Sequence, residues 1–237
     1  MVSQASIPKV NLWSSTLENN VMTAILNEKL PTNVQHFIEK SDFLIGVDEA
    51  GAGTWAGDLV VASCILDPKN PIDGLADSKK LSEKKREALY DIIKEKALDY
   101  AIVRISPREI ERSNILACRM NGMRESAHLI ARQGAHVLVD GDKIPEGMGL
   151  PTLCLVKGDD KVDAVRAASI LAKVARDRDI VESGKKYPEF GFERHKGYGT
   201  KIHKDALDRL GPTKLHRFTY KPVRNSAILH GTPQPTV

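Results

Sequence analysis

The sequence predicts an α/β protein, a mixed sheet flanked by helices with an N-terminal helical extension. Three observations lead there. Two apolar, strand-like runs follow one another across a Gly-rich turn near the start of the main body. The later apolar runs are separated by stretches with helical periodicity, which argues against a barrel or a sandwich. The length, 237 residues, holds one good core plus an appendage.

The elements follow in order. Leu12, Leu17, Val21, Ile25 and Leu30 form a modest amphipathic pattern, broken at Pro31 and resumed through Val34, Phe37 and Ile38. Phe43 to Asp48 reads as a buried strand, and Leu59 to Leu66 as its hairpin partner. Ser82 is a good N-cap, Glu83 suits the first-turn dipole, and Leu89, Ile92, Ile93 and Ala97 repeat at helical spacing. Tyr100 to Ile105 is strand-like, Ile115 to Ala131 helical, Ala135 to Asp140 a buried strand, and Thr152 to Val156 another. From Val162 to about Ser183, Val165, Ala168, Ala172 and Ala175 line one helix face with small residues, so that helix can press closely on a sheet, while Lys173, Arg176 and Asp177 face elsewhere. Pro188, Gly191, Gly197 and Gly199 interrupt the order before a last helix near His203 to Leu210, and Asn225 to Val237 reads as a loose tail.

Composition narrows the function classes. Hydrophobic residues make up 41% and charged residues 28%, and the mean hydropathy is −0.29, as in a water-soluble globular chain. The longest apolar stretch, around Leu59 to Leu66, is far short of the ~18 residues a membrane span needs. The N-terminus lacks the pattern of a secretory signal, so the expected location is cytoplasmic, with no membrane partner. Cys64, Cys118 and Cys154 are odd in number and widely spaced, which argues for core positions rather than disulfides or a thiolate metal site. The net charge of +4 hides an asymmetry. From Lys185 to Arg224, 11 Lys and Arg face 4 Asp and Glu, a surplus of seven. Tyr187, Tyr198 and Phe218 interleave with these charges, and rings among cations suit nucleic acid, whereas the plainer alternative is a solvated basic surface.

Acids mark the ends of predicted strands. Asp48-Glu49 and Asp140-Gly141 close two of them, and Asp159 follows a third. Carboxylates collected at one sheet end repel each other unless a hard divalent cation neutralises them, and Mg²⁺ or Mn²⁺ fits oxygen donors. Neighbouring strand residues point to opposite faces, so Asp48 and Glu49 reach one ion only if the backbone turns there, which Ala50-Gly51-Ala52-Gly53 allows. His195, His203 and His216 have no standard zinc-ligand spacing. His195 and His216 are expected to meet phosphate or to serve the local fold.

Longer blocks carry a family resemblance. Gly46-Val-Asp-Glu-Ala-Gly-Ala-Gly53, Asp77-Ser-Lys-Lys-Leu-Ser82, Asn114-Ile-Leu116, Val139-Asp-Gly141, Lys157-Gly-Asp159, Ala167-Ala-Ser-Ile-Leu-Ala-Lys-Val174 with Arg176-Asp177, and His195-Lys-Gly-Tyr198 stand in the order found in ribonuclease HII. The resemblance covers about Gly46 to Val223. It implies a ribonuclease H-like α/β fold with a small C-terminal helical part, and a metal-dependent endonuclease that cuts RNA in RNA–DNA hybrids and at single ribonucleotides embedded in duplex DNA, leaving 3′-hydroxyl and 5′-phosphate ends. The chain is thus expected to divide into an extension over 1–40, which has no matching block in the family motifs, a catalytic domain over 41–224 and a flexible tail over 225–237.

Carried over residue by residue, the resemblance puts the catalytic, metal-holding tetrad on Asp48, Glu49, Asp140 and Asp159, with Mg²⁺ or Mn²⁺ as cofactor. It assigns 2′-hydroxyl recognition to the backbone of Gly51, Ala52 and Gly53 and to Tyr198, and further substrate contacts to Lys79, Lys80, Asn114, Lys157, Ser169 and Lys173. The expected partners are an RNA–DNA hybrid and ribonucleotide-containing duplex DNA, met by a monomer. One departure stands out: the family's turn usually reads Gly-Arg-Gly-Pro, whereas this chain has Ala52 and then Thr54-Trp55. A surface guanidinium is missing, which leaves a non-catalytic or weakened hybrid-binding protein as the alternative reading.

Overall fold

A computed structural model describes residues 30–233. The predicted run Leu12 to Ile25 therefore lies outside the described residues. Within them a five-stranded sheet has the order β3-β2-β1-β4-β5. It is built from β1 (Phe43–Ala50), β2 (Leu59–Ile65), β3 (Asp99–Ile105), β4 (Ala135–Asp140) and β5 (Thr152–Leu155). The first three run antiparallel as a meander, and β4 and β5 add to β1 in parallel. The hairpin and the mixed sheet read from the sequence are both present.

Each face of the sheet buries a different helix. Ile45 and Val47 point into one cluster with Val61, Val103 and Val137, covered by α4 (Ile115–Leu129) through Cys118, Met123 and Ala127. Ala50, Val60, Ala62 and Cys64 point the other way, onto α5 (Asp163–Gly184) and α2 (Glu83–Lys96). The small residues of α5 allow a very close approach: a Cβ placed on Gly46 would lie 2.2 Å from the Ala164 carbonyl carbon. Ser82 caps α2 by accepting from the Lys85 amide, as its sequence position predicts. The stretch before the sheet is docked rather than detached. Leu30 and, on α1 (Thr32–Glu39), Val34 and Ile38 pack against Leu138, Leu155 and Val165.

Three helices among the described residues were not anticipated, Pro107–Arg112, Phe192–His195 and Lys221–Leu229. Pro107–Arg112 forms α3, closed by a capping box between Ser106 and Glu109 that was legible in the sequence. Lys221–Leu229 forms α8, which corrects the tail expected from Asn225. Ser226 and Ala227 are buried there, and the Ser226 hydroxyl donates to the Leu207 carbonyl at 2.7 Å. With α6 (Phe192–His195) and α7 (Lys201–Leu210), α8 encloses a separate small core of Phe190, Phe192, Leu207, Phe218 and Val223. Cys64 and Cys118 are buried as expected, while Cys154 is only half-buried.

Candidate active site

The register of the two central parallel strands brings the acids together. Val47 pairs with Val139, so the next residues, Asp48 and Asp140, stand side by side at the carboxyl ends of β1 and β4, where open sheets place their sites. Asp48 lies on the α5 face, with the Ser169 hydroxyl hydrogen-bonded to it. Glu49 points to the α4 face, with its Oε1 3.1 Å from Arg119 Nε. The strand continues through Ala50, so the turn does not bring Asp48 and Glu49 onto one face as the Gly-rich sequence suggested. The two acids approach the strand end from opposite sides. Asp159 arrives from a short 3₁₀ turn, Gly158–Asp160, after β5. That turn is fastened to β4 by the Gly158 amide, which donates to Asp140 Oδ1 at 2.7 Å.

Electrostatics couple the four. Burial, and then the like charges of Glu49 and Asp140, push Asp48 well above the usual carboxylate range. Burial also raises Glu49, with Asp140 adding to the rise and Arg119 opposing it. Asp159 is raised by burial and by Asp140. Lys79 lies 3.6 Å from Asp159, and its ammonium is held in the charged form by Asp159 and Asp48 against the cost of burial.

Among the described residues no three Asp, Glu, His or Cys side chains stand together as a ready ligand set. The convergence expected of the tetrad is thus one of neighbourhood and mutual repulsion. Its physical reason is that each carboxylate turns to a protein donor: Asp48 to the Glu49 amide at 2.7 Å, Asp140 to Gly158, Glu49 to Arg119 and Asp159 to Lys79. The donor set nevertheless fits a hard cation. Glu49 Oε2 is buried with no hydrogen-bond partner, an orphan that a cation would satisfy, and every donor is oxygen.

The other residues singled out from sequence fall into two groups. Lys80 and Lys157 are exposed near Asp159 along the chain or in space, Lys80 pairing with Asp160. Asn114 is exposed at the start of α4, its carbonyl oxygen accepting from the Ala117 amide at 2.8 Å. Its remaining amide can donate. Gly51 takes a positive φ of 89° and Gly53 is exposed. Tyr198 is 40% exposed, with Lys173 Nζ 5.2 Å and the Arg176 guanidinium 5.6 Å from its ring centre. Lys173 also pairs with Asp177 at 2.9 Å. Ser169 is different. It is 3% exposed, bonded to Ser78 at 2.9 Å and hydrogen-bonded to Asp48.

Arginines drawn in by backbone carbonyls surround the site. Arg176 is 1% exposed and donates to the carbonyls of Ala56, at 2.9 Å, and Lys196, tying the glycine turn to the Tyr198 loop. Arg217 is fully buried and donates to Gly57 at 2.9 Å and Ala52 at 3.2 Å. Arg119 also donates from Nη2 to the Asp140 carbonyl at 3.3 Å. Each looks like a surface charge in the sequence, because only the folded chain surrounds it with carbonyls.

The three histidines meet without making a zinc site. His203 Nε2 lies 3.0 Å from His216 Nε2, and His203 Nδ1 lies 3.0 Å from the Tyr198 carbonyl. His216 Nδ1 accepts from the Thr213 amide at 2.9 Å, and His195 lies between the Phe190 carbonyl and the Gly197 amide. This fixes a neutral relay, with His216 donating to His203 and His203 to Tyr198. Every ring nitrogen is engaged, so no lone pair is left for a metal. Burial pushes His203 down to about 4 and His216 to about 3.

Comparison with known proteins bears on the family and the fold. The family model described as Ribonuclease HII matches residues 45–223. A Ribonuclease HII of Marinomonas sp. (strain MWYL1) is 52% identical over 190 residues, covering 80% of this chain and 94% of that protein. One from Vibrio vulnificus (strain YJ016) is 49% identical over 183 residues, covering 77% and 88%. The crystal structure of the ribonuclease H2 from Pyrococcus horikoshii OT3 superposes with a TM-score of 0.70 at 28% identity, covering 81% of this chain and all of that one. The mixed sheet with flanking helices is therefore the fold that the motifs implied.

Proposed function

The chain belongs to the ribonuclease HII family, and from that premise we propose that Asp48, Glu49, Asp140 and Asp159 form the active site of an endoribonuclease acting on RNA–DNA hybrids and on single ribonucleotides embedded in duplex DNA. The observation that carries the assignment is the position of Asp48 and Asp140, each one residue beyond the Val47–Val139 pair of adjacent parallel strands, beside a buried Glu49 oxygen that has no partner. A non-catalytic binder would gain nothing from keeping four carboxylates beside nucleic-acid phosphates, since like charges repel.

The family is one of divalent-metal enzymes, and Mg²⁺ or Mn²⁺ is the cofactor proposed here. The four carboxylates would hold it, and when bound it supplies Lewis-acid stabilisation of the charge that develops on the scissile phosphate. The protein's own part is positioning. Water attacks phosphorus in line with the departing 3′ oxygen, giving 3′-hydroxyl and 5′-phosphate ends without a covalent enzyme intermediate. Lys79, Lys157 and the basic C-terminal segment bind the backbone phosphates. The peptides of Gly51 to Gly53 and the ring of Tyr198 meet the ribose and so distinguish RNA from DNA. The protein acts as a monomer in this reading. No helix among the described residues is long and apolar enough to cross a membrane.

The test is incubation of the wild type and Asp140→Asn with a duplex carrying one ribonucleotide, with Mg²⁺, with Mn²⁺ and with chelator. Cleavage by the wild type that needs either metal, lost at least ~100-fold in the variant, is the expected result. Binding without product in both metals would establish the binder instead.

A further inference from the structure

The loop between β1 and β2 has an unusual set of ties. The carbonyl of Ala52, the middle residue of the glycine turn, accepts two side-chain donors from far along the chain, Arg217 Nη1 at 3.2 Å and the Tyr220 hydroxyl. Arg217 Nε takes the Gly57 carbonyl at 2.9 Å, the Arg217 amide donates to the Trp55 carbonyl at 2.8 Å, and the Gly57 amide donates to the Leu215 carbonyl at 2.8 Å. The segment 215–220 thus holds the loop from beneath at both ends. Ala52 itself carries only a methyl group, so this turn has nothing but its backbone to offer a ligand.

A planar trans peptide points its C=O and the following N–H in opposite directions, and no cis peptide occurs among the described residues. Drawing the Ala52 carbonyl inward therefore turns the Gly53 N–H outward. Space lies open there: Gly53 is exposed, and a Cβ added to it would meet nothing within 4 Å.

We infer that Tyr220, together with Arg217, is a positioning residue that fixes the plane of the Ala52–Gly53 peptide so that the Gly53 amide is aimed at the ribose 2′-hydroxyl of the substrate. This rests on the proposed function of the glycine turn and deepens it, by naming what orients a turn that lacks a side-chain donor. Two donors on one carbonyl restrict rotation of the peptide more than one does. Tyr220 reaches across from the start of α8, so the C-terminal helical part has a role in ribose selection besides its basic charge.

Tyr220→Phe removes one oxygen and keeps the ring. The full chain is tested on a duplex with one ribonucleotide, with an all-DNA duplex as competitor and with thermal melting alongside. The expected result is a roughly tenfold fall in kcat/KM at the ribonucleotide, with the inhibitory concentration of the all-DNA duplex unchanged within twofold and the melting temperature held within about 2 °C. A role confined to packing would move the melting temperature and the all-DNA competition together with activity. That pattern, or a kcat/KM within twofold of the wild type, overturns the inference. A wild type that fails to cleave the ribonucleotide duplex at all refutes the function on which the inference rests.

Discussion

Arg119 Nε lies 3.1 Å from Glu49 Oε1 in an ion pair between α4 and the end of β1. The same guanidinium donates to the Asp140 carbonyl at 3.3 Å, so one cation serves both acid-bearing strands. Removing one partner of a buried pair costs about 3–5 kcal/mol. Arg119 retains 24% exposure, which screens part of that. Arg119→Met is therefore expected to lower stability by about 2 kcal/mol, because Glu49 is left buried and uncompensated. Saturating Mg²⁺ should restore most of the loss by replacing the missing positive charge. Urea unfolding with and without Mg²⁺ checks both parts.

The missing surface guanidinium gives a gain-of-function expectation. Ala52 is only half-buried and begins the exposed tip of the turn, so a longer side chain there can extend toward phosphate. A charged hydrogen bond to phosphate is worth about 1.5–3 kcal/mol. Ala52→Arg should thus lower KM on a single-ribonucleotide duplex about tenfold with kcat little changed. Steady-state kinetics at two salt concentrations would measure it, and an unchanged KM would refute it.

Acid should weaken the C-terminal part through its histidine relay. An unfolded histidine titrates near ~6.5, whereas His203 and His216 are held at about 4 and about 3. Above about pH 7 both states are neutral and the relay's stabilisation is complete. As pH falls from ~6.5 toward 4, the unfolded chain takes up protons that the folded one refuses, so stability declines by about 2 kcal/mol per histidine at pH 5. His216→Asn should reduce that slope by about half. Denaturation at pH 7, 6 and 5 gives the comparison.

Gly46→Ala should fail structurally while leaving every acid in place. Its new methyl would sit 2.2 Å from the Ala164 carbonyl carbon and 2.4 Å from the Val165 nitrogen, which are backbone atoms of α5 that cannot move alone. Overpacking of this kind costs about 3 kcal/mol or more. Loss of soluble protein, or a melting temperature lower by 10 °C or more, is the expected outcome in expression and thermal-melt measurements.

The sequence by itself determined the sheet-and-helix order, because alternating apolar strands and Ala-rich helix faces carry their period in the letters. Ordered motifs also pointed to the acids Asp48, Glu49, Asp140 and Asp159, since the chemistry of a carboxylate is local to its residue. The Pro107–Arg112 helix is readable from its capping box, whereas the part of Lys221–Leu229 from Asn225 onward reads as a tail, because the helix's buried face, Val223 and Ala227, acquires its partners only in three dimensions.

Tertiary structure alone decided which face each acid takes. Asp48 and Glu49 adjoin in sequence, yet the strand runs on through Ala50 and sends them to opposite sides. It likewise decided that Arg176 and Arg217 are buried under the glycine turn, that Ser169 backs Asp48, and that His203 and His216 form one relay. The reason is physical: burial and hydrogen-bond partnership depend on residues brought from 100 or more positions away, as with Tyr220 and Ala52, and no local pattern in a chain encodes a contact of that range.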